Sequence, residues 1–337
     1  MKPVRIGIIG LGRFAAAHAR IWTQMKAVEV AAVCDRNPDT FAAFQELFPG
    51  TACYTDWKLM IDRERLDAVD VLTPEHLHTE PVLYAMKAGL HAFVEKPLAS
   101  EPDDAAAMVR ASQELGRVLM TGHVLRFDSR MAAAKRQVEQ GKVGTIRSIY
   151  AKRNNGKMYF PLYNRVSPVF ILGIHDIDMI HWLMDDEVRE VYAVRSASGH
   201  TTEDMIWSML RFERGGVCVL ENNWLLPGGA SSFMDMRMEI TGDEGSLIVR
   251  DPEGGLEWIS DSRTDQVALL GGHEVHGKIT GPLAMELAHF IECVQRGMSS
   301  DILRPLDAWK AVRVAAAICE SAALGRPISL SGTELPI

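Results

Sequence analysis

Three groups of residues in this chain have the types and spacing to do chemistry. The first is a turn, Gly10-Leu11-Gly12-Arg13-Phe14-Ala15. In a G-x-G-x-x-G/A turn the first glycine bends the chain sharply, the second lets a pyrophosphate approach the backbone, and the third small residue lets helix and strand pack. The free N–H groups of the helix that follows then face the phosphates. Asp35 stands 20 positions beyond Ala15 at the end of a second apolar run. A carboxylate there accepts hydrogen bonds from a ribose 2′-hydroxyl and repels a 2′-phosphate. Arg36 follows directly, of the type that stacks on adenine or grips a 2′-phosphate. The turn and the acid point to a dinucleotide, with NAD favoured over NADP.

The second group is Lys96, in Glu95-Lys96-Pro97, together with His175. Hydride leaves a carbinol carbon only as the hydroxyl proton is removed, so such a site needs a base or relay within hydrogen-bond reach. Lys96 sits at a strand end, where open α/β sheets bind ligands. Beside a cationic nicotinamide its pKa falls by like-charge repulsion and desolvation, which suits a relay near neutrality. His175 heads a helix with apolar Ile177, Ile180 and Leu183 and is a second proton donor or acceptor. A metal site at His175, Asp178 and His181 is not expected: 175 and 178 share a face, but 181 points about 120° away from 175 at about 100° per residue.

The third group is a polar stretch before that helix: Arg126, Arg153, Asn154, Asn155, Lys157, Tyr159, Tyr163, Asn164 and Arg165. Arg126, Arg153 and Tyr163, with Asp176, are the expected substrate contacts, suited to a polyol or, through the arginines, to an anionic group. Trp224 reads as a core or interface residue, and Met234, Met236 and Met238 alternate as one sheet face suited to an interface.

The elements that must position these residues change character near residue 122. Before it, short buried runs (Val4–Ile9, Val28–Cys34, Leu66–Thr73, His91–Val94, Arg117–Thr121) alternate with helical stretches, with Thr79 and Ser100 as expected caps. That pattern implies right-handed βαβ crossovers and a doubly wound parallel sheet, an α/β Rossmann domain over 1–122. Beyond it, longer strands follow one another and helices are predicted at Ser129–Gln140, His175–Met184, Leu283–Gln295 and Pro305–Ala323. This reads as an α+β substrate and oligomerisation domain over 123–337, built on a large, mostly antiparallel sheet. A sheet with helices on one face leaves an apolar surface, so a homodimer or homotetramer is expected.

The 337 residues carry 36 Lys+Arg against 44 Asp+Glu, a net charge of −8, which argues against nucleic acid or an anionic membrane as partner. No apolar stretch approaches the ~20 residues of a membrane span, and the N-terminal residues lack a signal-peptide pattern. Five scattered cysteines without a C-x-x-C pair read as reduced thiols, so the expectation is a soluble cytoplasmic protein.

Several separated motifs together resemble one family. They are the glycine turn with His18, Thr73-Pro74-Glu75-His76-Leu77-His78, Glu95-Lys96-Pro97, Gly122-His123 with Arg126-Phe127, and Gly173-Ile174-His175-Asp176-Ile177-Asp178. The chain resembles the Gfo/Idh/MocA oxidoreductases, the glucose–fructose oxidoreductase and inositol dehydrogenase family, over about residues 3 to 330. The resemblance implies nicotinamide-dependent oxidation of a sugar or cyclitol hydroxyl, or the reverse reduction. It implies Lys96 and His175 as catalytic residues, with Thr73, Pro74, His78 and Glu95 along the cofactor. It also implies two alternatives: a glycosidase using transient oxidation by NAD, or a non-catalytic cofactor-sensing regulator. One position departs from the inositol dehydrogenase pattern, in which an aspartate stands four residues before the histidine. Here that residue is Ile171.

Overall fold

In the run Val-Arg-Ile-Gly-Ile-Ile apolar residues do not alternate with polar ones, and the resulting strand is buried everywhere but at Arg5. The computed structural model describes residues 2–251, 257–259, 264–266 and 273–330. Its first part contains β1 (Val4–Ile9), α1 (Arg13–Trp22), β2 (Val28–Cys34), α2 (Phe41–Leu47), β3 (Ala52–Tyr54), α3 (Trp57–Arg63), β4 (Ala68–Val71), α4 (Thr79–Lys87), β5 (His91–Val94), α5 (Pro102–Leu115) and β6 (Leu119–Thr121). The six strands form one sheet in the order β3-β2-β1-β4-β5-β6, and every pair in it is parallel. The chain's path across the sheet reverses between β1 and β4, which opens the crevice where doubly wound sheets bind ligands.

Two elements here have no counterpart in the sequence reading. β3 and α3 are too short to show a period; their one signal is Asp56, which caps α3 by accepting from the Lys58 N–H at 2.9 Å. The expected caps of α4 and α5 also differ. A 3-10 turn, Glu75–Leu77, runs into α4 and leaves His78 as its N-cap, and Glu101 caps α5 because the residue before Pro102 is held extended. Neither makes a side-chain capping bond. α5 ends with Gly116 in the left-handed region at φ +59°.

The remaining elements are α6 (Ser129–Glu139), β7 (Ile146–Gly156), α7 (Phe160–Tyr163), α8 (Ile174–Met184), β8 (Val188–Ser196), β9 (Met205–Phe212), β10 (Val217–Leu226), β11 (Met234–Gly242), β12 (Ser246–Asp251), two small hairpins β13–β14 (Glu257–Ile259, Thr264–Gln266) and β15–β16 (His273–Val275, Lys278–Thr280), α9 (Pro282–Arg296), α10 (Pro305–Leu324) and β17 (Ile328–Ser329). The large sheet has the order β12-β11-β7-β10-β9-β8-β17; β7 and β10 run parallel and the other pairs antiparallel.

The chain divides into two compact units, Met1–Phe127 with Gly271–Trp309, and Asp128–Leu270 with Lys310–Ile337. The sequence reading placed one boundary at 122/123, whereas 271–309 belongs with the first unit. The physical reason is the apolar stripe of α9: Leu283, Leu287, Phe290 and Ile291 join the core formed by α1, β1, β2 and β5, where Phe290 meets Phe93 edge-on. Full burial of a side chain of that size is worth about 1.5–3 kcal/mol.

In the second unit burial alternates strictly along β9, with Ile206, Ser208, Leu210 and Phe212 inside and Trp207, Met209 and Arg211 outside. Met234, Met236 and Met238 do not form an outward face. They are buried, because β11 pairs with β7 in a register that sets Met236 opposite Arg153 and Met238 opposite Ala151, both buried.

Candidate functional site

A cleft of about 720 Å³ opens at the carboxyl ends of β1, β2 and β4 in the first unit. Gly10, Gly12, Asp35, Arg36, Thr73 and Pro74 line it, with Asp56, Trp57 and Glu80. Gly10 adopts φ +91°, and a Cβ there would stand 2.8 Å from the Thr73 backbone nitrogen, so only glycine fits. Gly12 caps α1 without a side-chain bond, and a Cβ there would meet nothing within 4 Å. The first turn of α1 is thus left open to a ligand's phosphates. Asp35 is held toward the turn: one oxygen accepts from the Leu11 N–H at 2.7 Å and the other from the Asn37 N–H at 2.8 Å. The Thr73 hydroxyl oxygen is buried and has no hydrogen-bond partner. An exposed helix N-terminus, a carboxylate and an orphaned hydroxyl in one cleft are a donor and acceptor set that fits a dinucleotide.

Arg13 and Phe14 are exposed on the first turn of α1 and Ala15 is buried beneath it. His78 is 1% exposed, with its ring nitrogens 2.8 Å from the Thr73 carbonyl and 2.9 Å from the Pro97 carbonyl. It therefore braces the cleft wall from behind and does not line it. Burial pushes its pKa down, against the pull of the two carbonyls. Lys96 is half-buried after β5, and its bond to Pro97 is cis.

Behind Lys96 lies a buried polar chain. The Lys96 N–H donates to Glu95 Oε2 at 3.2 Å, and Glu95 Oε1 is 3.5 Å from Nε2 of His18. His18 Nδ1 is 3.0 Å from Asp70 Oδ2, which also accepts from the Trp22 indole N–H at 2.8 Å. His18 and Asp70 are fully buried. Burial opposes charge on His18 more than any other single cause, but Asp70 and Glu95 together outweigh it and hold the pKa up at about 10. Gly122 makes room for this chain, since a Cβ there would lie 2.6 Å from Glu95 Oε1.

The expected substrate residues fall in different places. Arg126 is buried in the first unit, donating to Asp307 at 3.0 Å and to the Ile302 carbonyl at 2.6 Å. In the second unit His175 is half-buried on the first turn of α8. Asp176 beside it turns inward at 1% exposure and is gripped by Arg153, whose Nη2 donates at 2.8 Å and Nε at 3.1 and 3.2 Å. Two residues expected to meet substrate are thus each other's partners. Burial pushes the Asp176 pKa up, while Arg153 and Asn222 pull it back. Asn222 packs against Gly173, where a Cβ would lie 2.5 Å from its Oδ1.

Tyr163 stacks on Trp224 with centroids 5.3 Å apart and planes 7° from parallel, and the Arg165 guanidinium lies 5.7 Å from the Tyr163 centroid. Trp224 is core, clustered with Phe160, Ile171 and Leu172. Ile171 belongs to a π-helical turn, Val169–Gly173, that leads into α8. A carboxylate at that position would be buried among apolar groups, which accounts for an isoleucine there.

The sequence reading missed Asp56, Trp57 and Glu80 in the cleft, and it gave no role to Asp70, His18 or Asn222. Asp70 had a usable signal: an acid inside Ala68-Val69-Asp70-Val71, a strand buried along its length, requires a partner. Among the described residues no group of three His, Cys, Asp or Glu side chains could hold a metal, and no helix is long and apolar enough to cross a membrane.

Residues 4–123 match the family described as "Oxidoreductase family, NAD-binding Rossmann fold", and residues 131–248 match the GFO/IDH/MocA C-terminal domain. A 2,7-anhydro-N-acetylneuraminate hydratase of Mediterraneibacter gnavus is 30% identical over 262 residues, 74% of this chain and 68% of that protein. A myo-inositol 2-dehydrogenase of Thermotoga maritima is 29% identical, over 78% of this chain and 80% of its own. In fold, the crystal structure of a myo-inositol 2-dehydrogenase from Lactobacillus plantarum matches with a TM-score of 0.87 at 22% identity, covering 98% of this chain and 100% of that one. The scyllo-inositol dehydrogenase from Lactobacillus casei with bound NAD(H) and scyllo-inositol matches with a TM-score of 0.84 at 20% identity, over 98% of this chain and 100% of its own. With a cofactor cleft of the right construction and likeness extending through both units, the chain belongs to the Gfo/Idh/MocA family of oxidoreductases.

Proposed function

We propose that this oxidoreductase is an NAD-dependent dehydrogenase that moves a hydride between nicotinamide and a hydroxyl-bearing carbon of a sugar, cyclitol or related polyol. The observation that carries the reading is the cleft at the β1/β4 crevice, with its open helix N-terminus and its Asp35 carboxylate. When bound, the cofactor supplies the hydride acceptor or donor. Gly12 and the first turn of α1 would hold its pyrophosphate and Asp35 its ribose. Lys96 moves the hydroxyl proton of the substrate, and His175 positions the substrate oxygen. The polyol class is supported by the inositol dehydrogenases among the relatives and by a D-apiose dehydrogenase of Paraburkholderia graminis, 29% identical over 73% of this chain. NAD over NADP is supported by Asp56, a second carboxylate beside Asp35 in the lining, against the single charge of Arg36. Free thiols at all five cysteines fit a reducing compartment such as the cytoplasm.

The test is a panel of polyols, aldoses and nucleotide sugars followed by nicotinamide absorbance, with NAD⁺ and NADP⁺ side by side. Reduction of NAD⁺ by at least one member is expected. Protein that neither binds NADH nor turns over any member would overturn the reading, and preferential binding of NADPH would transfer the specificity role from Asp35 to Arg36. A second reading, transient oxidation without net cofactor turnover as in an NAD-dependent glycosidase, is favoured by the 30%-identical relative named a hydratase. It predicts product formation at constant NADH absorbance. The presence of both Lys96 and His175 argues against a purely regulatory protein.

Self-association as a homodimer or homotetramer is part of the proposal. Tyr192, Val194, Trp207 and Met209 are large apolar side chains exposed on the outward face of β8 and β9. Light scattering that gives a single monomer mass at micromolar concentration would contradict it.

A further inference from the structure

The buried chain behind Lys96 is not needed to bind a dinucleotide and is not explained by packing alone. Asp70 lies in a strand buried along its length, and Glu95 is only 9% exposed. Two carboxylates so placed are tolerated only with a cationic or hydrogen-bonded partner. His18 faces both: its Nδ1 is hydrogen-bonded to Asp70 at 3.0 Å, and its Nε2, buried and without a hydrogen-bond partner, lies 3.5 Å from Glu95 Oε1, within ion-pair distance. A neutral imidazole would leave two buried carboxylates without a cation, whereas the imidazolium carries its charge between them and presents an N–H toward each. The rings of Phe14 and Phe93 flank the imidazole with centroids at 5.3 and 5.6 Å, so it is hemmed in by aromatic groups where no acid faces it. Asp70 is itself anchored by Trp22, which fixes the near end of the chain.

We propose that His18 is a positioning residue for Lys96: an imidazolium clamped between Asp70 and Glu95 that holds the Glu95 carboxylate on the Lys96 backbone. The clamp joins three elements: α1, which carries the phosphate-binding turn; β4, at the centre of the sheet; and the end of β5, where the lysine sits. It secures the lysine's strand end to the helix that would hold the pyrophosphate. The role in catalysis rests on the reading of Lys96 as the proton-moving residue. The clamp itself does not rest on it. A purely structural triad would stabilise the fold and leave the Lys96 backbone indifferent to which residue stands at 18.

The test uses the full chain without substrate. Nitrogen NMR of the wild-type imidazole is expected to show both ring nitrogens protonated at neutral pH, with no titration up to about pH 9, well above the ordinary value of about 6.5. A singly protonated ring at pH 7 overturns the proposal. Glu95→Gln, which keeps the shape and removes one charge, is expected to bring the His18 titration down; an unchanged titration also overturns it. In His18→Gln and His18→Phe the hydrogen exchange of the Lys96 amide is expected to rise roughly fivefold relative to the amides of β4, as for loss of one supporting hydrogen bond of about 1 kcal/mol. NADH affinity, read by fluorescence, is expected to stay within about twofold, because the pyrophosphate and ribose contacts are untouched. Wild-type exchange at Lys96 in both variants would show the clamp to be structural only, and if neither variant folds, the wild-type NMR decides. None of these readouts uses turnover, so a negative substrate panel and a failed clamp are separate results.

Discussion

Each unit buries an acid one residue away from the side chain proposed to act there, and the two acids are neutralised differently. Glu95 precedes Lys96 and is met by an imidazole that it shares with Asp70. Asp176 follows His175 and is met by the guanidinium of Arg153, through both carboxylate oxygens, with Asn222 in support. A guanidinium keeps its proton at any ordinary pH, and its planar fork fixes the carboxylate. An imidazole is a conditional cation, and here it links three elements where Arg153 links two. The arrangement in the second unit is local and has a permanent cation, and that in the first is extended and has a cation able to lose its charge. Asp176 is also committed to Arg153, and Ile171 lies in an apolar cluster, so neither supplies His175 with a carboxylate. In the proposed reading Lys96 carries most of the proton transfer.

The comparison breaks most plainly at Lys96. Lys96→Ala is expected to lower kcat by ~10²–10⁴-fold, the range for loss of a general acid–base group, with NADH binding retained. His175→Ala is expected to cost less in kcat and more in KM, since contacts shared by ground and transition states are lost. Equal losses confined to kcat at the two sites would point to a shared relay. Near-normal turnover in Lys96→Ala would remove the assignment altogether.

The next effect is on stability. Arg153→Met leaves Asp176 as a buried, unpaired charge and is expected to cost about 3–5 kcal/mol in urea unfolding. The double variant Arg153→Met/Asp176→Leu is expected to recover most of that loss, because a buried pair replaced by apolar groups is often neutral. If the double variant is no better than the single one, the pair does more than neutralise itself.

The contrast between the units also explains what could be read from the sequence. The cleft at the β1/β4 crevice was legible because much of its construction is carried by backbone: a positive φ at Gly10, an uncapped turn at Gly12 and an acid at a strand end follow from residue type and spacing. The parallel, doubly wound character of the sheet followed from short buried runs alternating with helices, though not its edge strand β3. The partners of Arg153 and Arg126 were not legible. Those side chains are satisfied by Asp176 and Asp307, respectively 23 and 181 residues away, and no local period reports such a pairing. The three methionines of β11 were assigned to the wrong face for a related reason. Alternation shows that they share a side, but only the register with β7 decides which side is buried.

The conditional charge on His18 gives a pH test that Arg153 should fail to show. Its pKa in the folded protein is about 10, above the ~6.5 of an unfolded chain. The stability it contributes is therefore complete below the unfolded value and is lost as pH rises through the folded one. Unfolding free energy is expected to fall faster with pH in wild type than in His18→Phe across this window, by at most ~1.4 kcal/mol per pH unit for one proton. Parallel curves would mean that His18 is neutral in the folded protein. Asp35→Ala, a smaller change in the same unit, is expected to weaken NADH binding by about 1–3 kcal/mol and to narrow its advantage over NADPH in competitive titrations.

The smallest expected effect separates a ligand-facing group from a structural one by its sign. The Thr73 hydroxyl is buried without a partner, although the backbone of the same residue is engaged, its carbonyl by His78. Burying a hydroxyl unsatisfied costs ~1–3 kcal/mol by mutational measures. Thr73→Val replaces it with a methyl of nearly the same shape, so the protein without cofactor is expected to be as stable as wild type or more stable, by up to about 1 kcal/mol. If the hydroxyl serves the cofactor, the same substitution weakens NADH binding about 2- to 10-fold, the value of one neutral hydrogen bond. A structural hydroxyl would give the reverse, with stability lost and affinity unchanged. Urea unfolding and NADH titration on one variant therefore decide whether the orphaned oxygen at the end of β4 belongs to the cleft or to the fold.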